Sequence, residues 1–298
     1  MTTENSRATQ DSPVSDERPW LGDAGEIEAA GGVRLAVRSA RLKGVVRADV
    51  VLVHGLGEHL GRYGHVADVL ASRGLRVCAW DLRGHGHSGG ARGDAAGYGL
   101  LVDDLARVVA HFTGKSRPWF LLAHSLGGQL ALRFLEERQP ECAGAVVAAP
   151  WLRLAFDPPW WKLALARLAR RVFPGFTQQT GNTWERLSRD TAHLASLPDL
   201  DLVHHRISAR LYFAMRATGE AVLADAGKLR LPLLLLHGED DSITCHRATR
   251  ELFKRAGSSD KTMRLYPGVR HEIHNDFGRE AVLAEVANWT VARVPAGR

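Results

Sequence analysis

Cysteine is scarce in this chain of 298 residues: only Cys78, Cys142 and Cys245 occur. They are odd in number and show no metal or redox spacing, which argues against a cysteine metal site or a paired-thiol centre. Cys78 falls in an apparent core strand and reads as a buried free thiol. Long apolar runs are also missing, and no stretch approaches the roughly 18 residues that would span a bilayer. Residues 1–19 have no apolar core of the secretory kind, so the expected location is the cytoplasm. Like charges do not cluster either. The 39 Lys and Arg against 33 Asp and Glu leave a net +6, but no run of five or six like charges exists, which argues against nucleic-acid binding. Mild attraction to anionic surfaces, lipid headgroups included, stays open. No internal repeat or low-complexity block stands out.

What is present is an ordinary globular composition, 45% hydrophobic and 24% charged, on a chain long enough for one α/β core with an insertion or two small domains. Residues 1–22 are polar and read as a disordered tail. Residues 26–41 give two short strands about Gly31-Gly32, a hairpin signal. Strand-length apolar runs at 49–53, 75–80, 119–123 and 144–149 then alternate with helical patterns at 62–73, 97–113 and from 126 onward. This order predicts a mostly parallel sheet covered on both faces. The alternation breaks after Pro150, where residues 151–225 show helical stretches and no clear strand. It resumes with strands at 231–236 and 262–266 and helices at 246–255 and 279–291. The expected organisation is a core of residues 23–150 and 226–298 with a helical lid, 151–225, over the carboxyl ends of the strands.

The chemistry gathers where strand 119–123 meets the next helix, in Ala123-His-Ser125-Leu-Gly127. A strand turning into a helix within a residue or two strains the backbone and tolerates only small neighbours. It presents the Ser125 hydroxyl at a helix N-terminus, where free N–H groups favour developing negative charge; this is a nucleophile elbow of the G-x-S-x-G type. A serine needs a base oriented by a carboxylate, in the chain order Ser, Asp or Glu, His. The strand at 231–236 runs into His237-Gly-Glu-Asp-Asp241, and the strand at 262–266 into Pro267-Gly-Val-Arg-His271-Glu-Ile-His274. Asp241 fits better than Asp240 because Gly-x-x-Asp completes the turn first, leaving Glu239 and Asp240 as solvated or capping acids. His271 fits better than His274, which is expected at the start of the following helix. The oxyanion donors are the N–H groups of Leu126 and of Leu56, the latter flanked by glycines in the loop after the first parallel strand.

Three further strings accompany the elbow: His54-Gly-Leu-Gly-Glu-His-Leu-Gly-Arg-Tyr63, Asp81-Leu-Arg-Gly-His-Gly-His-Ser-Gly-Gly90 and Tyr266-Pro-Gly-Val-Arg-His271-Glu. Together they resemble the monoacylglycerol lipase and lysophospholipase group of α/β-hydrolases, over roughly residues 26–294 and most weakly through the lid. The resemblance implies an α/β-hydrolase fold and a serine esterase of single-chain acyl esters, with a helical cap and no cofactor. It also implies the triad Ser125, Asp241, His271 and the oxyanion pair Leu56 and Leu126. One departure is Ala123 in place of the usual elbow glycine, which bears on the fine geometry of the turn.

Other residues carry weaker signals. Glu58 and Arg62 are four apart at a loop–helix junction; they pair to hold the oxyanion loop or meet the alcohol part of a substrate. Asp81, Arg83, His85 and Ser88 read as the knitting of a loop beneath the site. From 160 to 173, Trp161, Leu165, Leu168 and Val172 share one helical face, with Lys162, Arg167, Arg170 and Arg171 around it. That face either lines an acyl tunnel, making Trp161 and Leu165 substrate contacts, or touches lipid surfaces together with Trp160. Rivals of the same fold are a short-chain carboxylesterase, an aminopeptidase and an acyltransferase; a ligand-binding receptor is the non-enzyme alternative. The partner expected is a small acyl ester, with no nucleic acid and no metal; the sequence leaves oligomeric state open.

Overall fold

A computed structural model describes residues 22–114 and 116–295, so the expectation for the tail, Gly22 apart, lies outside the described residues. The hairpin forms as β1 (Asp23–Ala29) and β2 (Val33–Ser39), antiparallel, with Ala29 opposite Val33. There follow β3 (Ala48–Val53), a 3-10 turn at Leu60–Tyr63 running into α1 (Gly64–Ala71), β4 (Leu75–Trp80) and α2 (Tyr98–Phe112). Next come β5 (Trp119–His124), α3 (Ser125–Arg138) and β6 (Gly144–Ala148). The chain closes with β9 (Leu233–Gly238), α8 (His246–Arg255), β10 (Lys261–Tyr266) and α9 (Arg279–Val291). β9 starts two residues later than the apolar run suggests. Pro232 has no N–H to give a ladder; its carbonyl instead accepts from Ala145.

Eight strands make one sheet in the order β1-β2-β4-β3-β5-β6-β9-β10, parallel from β4 onward. Alternate residues of a strand face opposite sides, and here both sides are packed. Val51 and Val53 of β3 and Leu233 and Leu235 of β9 enter one apolar core with α2, α3 and α8. Val50 and Leu52, with Leu234 and Leu236, enter a second core with α1 and α9. Burial on both faces is why these strands read as unbroken apolar runs rather than alternating ones.

Between β6 and β9 lie α4 (Trp160–Val172), β7 (Thr177–Gln179), α5 (Trp184–Leu187), α6 (Thr191–Ser196), β8 (Arg206–Ser208) and α7 (Ala209–Asp225). The expectation of no strand here is corrected: β7 and β8 pair antiparallel. Three residues each, with polar Thr, Gln, Arg and Ser, are too short and too polar to show a period of two. Of the two expectations for the apolar face of α4, the lining of an enclosed acyl tunnel is corrected: Trp161, Leu165, Leu168 and Val172 share a face, but all are more than half exposed. The half-buried stripe is Leu163, Ala166 and Ala169, and its small alanines suit the packing of α4 on α7. Two apolar stripes coexist on this helix, and only its neighbour decides which is covered.

The elbow is as tight as its sequence suggests. Ser125 has φ 53°, the left-handed region. A Cβ on Gly127 would stand 2.3 Å from the Val53 carbonyl oxygen and 2.4 Å from that of His54, both fixed backbone at the end of β3. Gly127→Ala is therefore expected to destabilise the fold by at least about 2 kcal/mol, although alanine is the better helix former by ~1 kcal/mol. Urea unfolding measures this; an unchanged or raised midpoint would show that α3 has room to shift.

Candidate active site

Loops leaving the carboxyl ends of β5, β9 and β10 bring three predicted side chains together. Ser125 Oγ lies 3.0 Å from His271 Nε2, and His271 Nδ1 lies 2.7 Å from Asp241 Oδ2. All three are buried. The turn after β9 anchors the carboxylate: Asp241 Oδ1 accepts the N–H groups of Ile243 (2.7 Å) and Thr244 (2.9 Å). Its Oδ2 accepts the Thr244 hydroxyl at 2.6 Å and lies 3.1 Å from His237 Nε2. Glu239 pairs with Arg250 and Asp240 is exposed, as the sequence suggests for both.

The electrostatics follow from these contacts. Burial alone would raise the Asp241 carboxyl, but the charge of His271 and hydrogen bonds from His237 and His271 hold it well below the usual range. Burial alone would lower His271; the charge and hydrogen bond of Asp241 outweigh it, helped by Glu272 and Glu58, and raise it above 6.5. The imidazole is thus a stronger base than a free histidine, poised to take a hydroxyl proton from Ser125.

A second buried network ties the loop of Leu56 to the loop of His271. Glu58 Oε1 accepts from the Gly55 N–H (2.5 Å) and the Tyr63 hydroxyl (2.9 Å), and Oε2 accepts from Arg62 Nη1 (2.8 Å). Arg62 also forks onto Glu272, at 3.1 and 2.9 Å. Burial would raise Glu272, yet Arg62 draws it down to about 2. Paired charges with this many donors hold two loops in one register, a structural role for Glu58 and Arg62 even though both line the cavity. Beneath it, the Asp81 loop is knitted as expected: Asp81 accepts from the Leu60 and His87 N–H groups, Arg83 forks onto Asp104, and Ser88 donates to the Asp81 carbonyl.

Over Ser125 lies a cavity of about 60 Å³, walled by Leu56, His124, Trp151, Thr180, Asn182 and His204 among others. Leu56 and Ser125 share it, and Leu126 follows Ser125 at the start of α3. The inserted segment closes one side. His204 donates its N–H to the Gly57 carbonyl at 2.8 Å, and Gly57 (φ 84°) admits that approach because it has no Cβ, which would stand 2.1 Å from the His204 oxygen. The structure does not bring Trp161 and Leu165 here. They line a separate apolar groove of about 710 Å³ with Leu168, Val172 and Phe176.

His274 is corrected. It is not at the start of α9, which begins at Arg279; it is buried, stacked on Tyr63 at 4.9 Å and edge-on to His124 at 4.8 Å. The chain after His271 makes a turn before it reaches the helix, with Asn275 N–H returning to the Glu272 carbonyl. Sequence reasoning missed His124, His237, Thr244 and Glu272. The signals available were thin: histidines at the ends of two apolar strands, and a glutamate beside the base.

Buried histidines carry a stability consequence. Burial is the largest cause in each case, and it lowers His59, His65 and His204 to about 4 and His85 and His274 to about 3. Their unfolded counterparts protonate near 6.5, so below that pH the unfolded chain binds more protons and stability falls. His271, raised, acts in the opposite sense. The expected result is unfolding free energy that declines from pH 6.5 toward 4 with uptake of several protons. Urea titrations across that range check it; a flat profile would mean that these rings gain charge without unfolding.

With this geometry in place, the relatives can be weighed. The family model described as serine aminopeptidase, S33 matches residues 44–277. An uncharacterized abhydrolase domain-containing protein of Dictyostelium discoideum is 34% identical over 83% of this chain, which spans only 26% of that protein. A monoacylglycerol lipase of Mycolicibacterium smegmatis is 31% identical over 89% of this chain and 95% of its own. The crystal structure of Paleococcus ferrophilus monoacylglycerol lipase superposes with a TM-score of 0.77 at 32% identity, covering 86% of this chain and 99% of that one. Among the described residues no helix is long and apolar enough to cross a membrane. Matching residues, sheet order and elbow agree on one conclusion: the chain belongs to the serine aminopeptidase S33 family of α/β-hydrolases and is similar to its monoacylglycerol lipases.

Proposed function

We propose that the protein is a serine hydrolase that cleaves the carboxylic ester of single-chain lipids, monoacylglycerols first among them, through an acyl-enzyme. The observation that carries this is the unbroken hydrogen-bonded line from Ser125 through His271 to Asp241 at the floor of a cavity. Ser125 attacks the acyl carbonyl while His271 takes its proton. The N–H groups of Leu56 and Leu126 receive the oxyanion, and Asp241 stabilises the imidazolium. His271 then protonates the leaving alcohol, and water repeats the sequence to free the fatty acid. No cofactor or metal has a part.

Residues 151–225 act as a cap. A cavity of about 60 Å³ holds the reacting ester but no acyl chain, whose binding normally takes hundreds of Å³, so the cap shifts to admit substrate. On its outer side, exposed Trp160, Trp161, Leu165, Leu168, Val172, Phe173 and Phe176 stand with Lys162, Arg167, Arg170 and Arg171, and α4 has no acidic residue. This amphipathic, basic surface suits brief contact of a cytoplasmic enzyme with a lipid surface. Trp160→Ala with Trp161→Ala is expected to reduce co-sedimentation with anionic vesicles several-fold, and unchanged binding would remove the lipid role.

The aminopeptidase reading has the description of the family model for it, and the carboxylates of Glu58 and Glu272 at the cavity wall. Both carboxylates are taken up by Arg62, which leaves no free carboxylate among the described residues of the cavity wall for an α-amine. A panel of monoacylglycerols, lysophospholipids, short esters and aminoacyl anilides, run with and without added glycerol as acceptor, tests the proposal. Fastest turnover of anilides, or acyl transfer exceeding hydrolysis, would replace it.

A further inference from the structure

We infer that His237 is a positioning residue for the carboxylate of the triad, itself oriented by Thr249 on α8. The inference rests on the reading of Ser125, His271 and Asp241 given above and adds a fourth and fifth member to their line.

His237 lies within β9, paired in register with Leu265 of β10, and is fully buried. Its Nδ1 is 2.8 Å from Thr249 Oγ and its Nε2 is 3.1 Å from Asp241 Oδ2. A carboxylate only accepts, so Nε2 carries the hydrogen. In the neutral ring Nδ1 then accepts from the Thr249 hydroxyl, which fixes the tautomer. The line runs Thr249, His237, Asp241, His271, Ser125 at 2.8, 3.1, 2.7 and 3.0 Å. The backbone N–H groups of Ile243 and Thr244 hold only Oδ1. Oδ2, the atom that meets His271, is held from its own side by His237 and by the Thr244 hydroxyl. Without His237 the carboxylate is freer to turn about its Cβ–Cγ bond, and Oδ2 keeps more of its charge to itself.

That gives two consequences a merely structural histidine would not have. Misplacing Oδ2 misplaces His271, and displacements near 1 Å cost about 100-fold in rate. A less satisfied carboxylate also holds the imidazolium more tightly, so His271 gives up its proton at higher pH. The charged and titratable groups facing His271 are Asp241, Glu58, Glu272, His124 and His274; those facing His237 are Asp241 and His246. All remain in the variants below, so the shift reports on His237.

The test measures p-nitrophenyl butyrate hydrolysis across pH for His237→Leu, His237→Gln and Thr249→Val, with kcat expressed per fluorophosphonate-labelled site, beside Ser125→Ala, whose rate is expressed per mole of protein. The expected result for His237→Leu is kcat lower by roughly 10- to 100-fold, KM unchanged and an acid limb moved to higher pH. His237→Gln, which can still donate to Oδ2, restores most of kcat and the limb, and Thr249→Val shifts both in the same direction by less. If His237→Leu does not fold, the other two variants carry the test. Wild-type kcat and acid limb in His237→Leu, or in Thr249→Val, with only a lower melting temperature would overturn the inference. So would equal losses in the Leu and Gln variants. Hydrolysis surviving in Ser125→Ala would instead overturn the triad beneath it.

Discussion

Ser125→Ala is expected to lower kcat by roughly 10⁴- to 10⁶-fold and to abolish labelling by fluorophosphonates, while leaving the melting temperature nearly unchanged. In the proposed reaction the hydroxyl is the atom that bonds to the acyl carbon, and among the described residues no other serine lines the cavity to replace it. Fold should survive because the side chain contributes one hydrogen bond, to His271 at 3.0 Å. The strained φ of 53° belongs to the backbone of the strand-to-helix turn, which the substitution leaves in place. Residual turnover would come from the proposed oxyanion donors and binding alone. Activity within tenfold of the parent enzyme would show that Ser125 is not the nucleophile.

Asp241→Asn should lower kcat by roughly 10⁴-fold. The amide can place its NH₂ against His271 Nδ1, which forces the hydrogen onto Nε2 and leaves that nitrogen unable to accept the Ser125 proton. Its oxygen can still take the N–H groups of Ile243 and Thr244, and His237 and the Thr244 hydroxyl, which lose their acceptor, can turn to the Thr244 and Ala149 carbonyls, so the loop keeps its shape. The pH profile gives the sign. In the parent enzyme the anionic carboxylate raises His271 above 6.5, and activity, which needs the neutral ring, falls as pH drops through that raised value. Without the charge His271 loses its main source of elevation, so the residual acid limb must lie lower. A limb that stays put would mean that Asp241 does not set the basicity of His271.

How much of this was legible beforehand differs between elements. The parallel strands could be read because β3, β5, β6 and β9 are buried on both faces and therefore unbroken in their apolar character. Ser125 and Asp241 could be read because each follows such a strand, and His271 because it follows the half-exposed β10 across the Pro267-Gly268 turn. The inserted segment was the opposite case. Its helix α4 shows two apolar stripes, and its strands β7 and β8 are too short to announce themselves. His237 and Thr249 sit 12 apart in sequence and meet only because β9 and α8 pack together. Glu272 and Arg62, 210 apart, give no sign of each other at all.

What the order of residues determined alone is therefore local: strand-then-turn units, each ending in one reactive side chain, since backbone strain and apolar periodicity act over a few neighbours. What only the tertiary structure decided is which of those chains touch, which stripe of α4 is left in solvent, and how Arg62 is shared between Glu58 and Glu272. Such pairings depend on distances across the sheet and on burial, and both arise only when separate elements have packed.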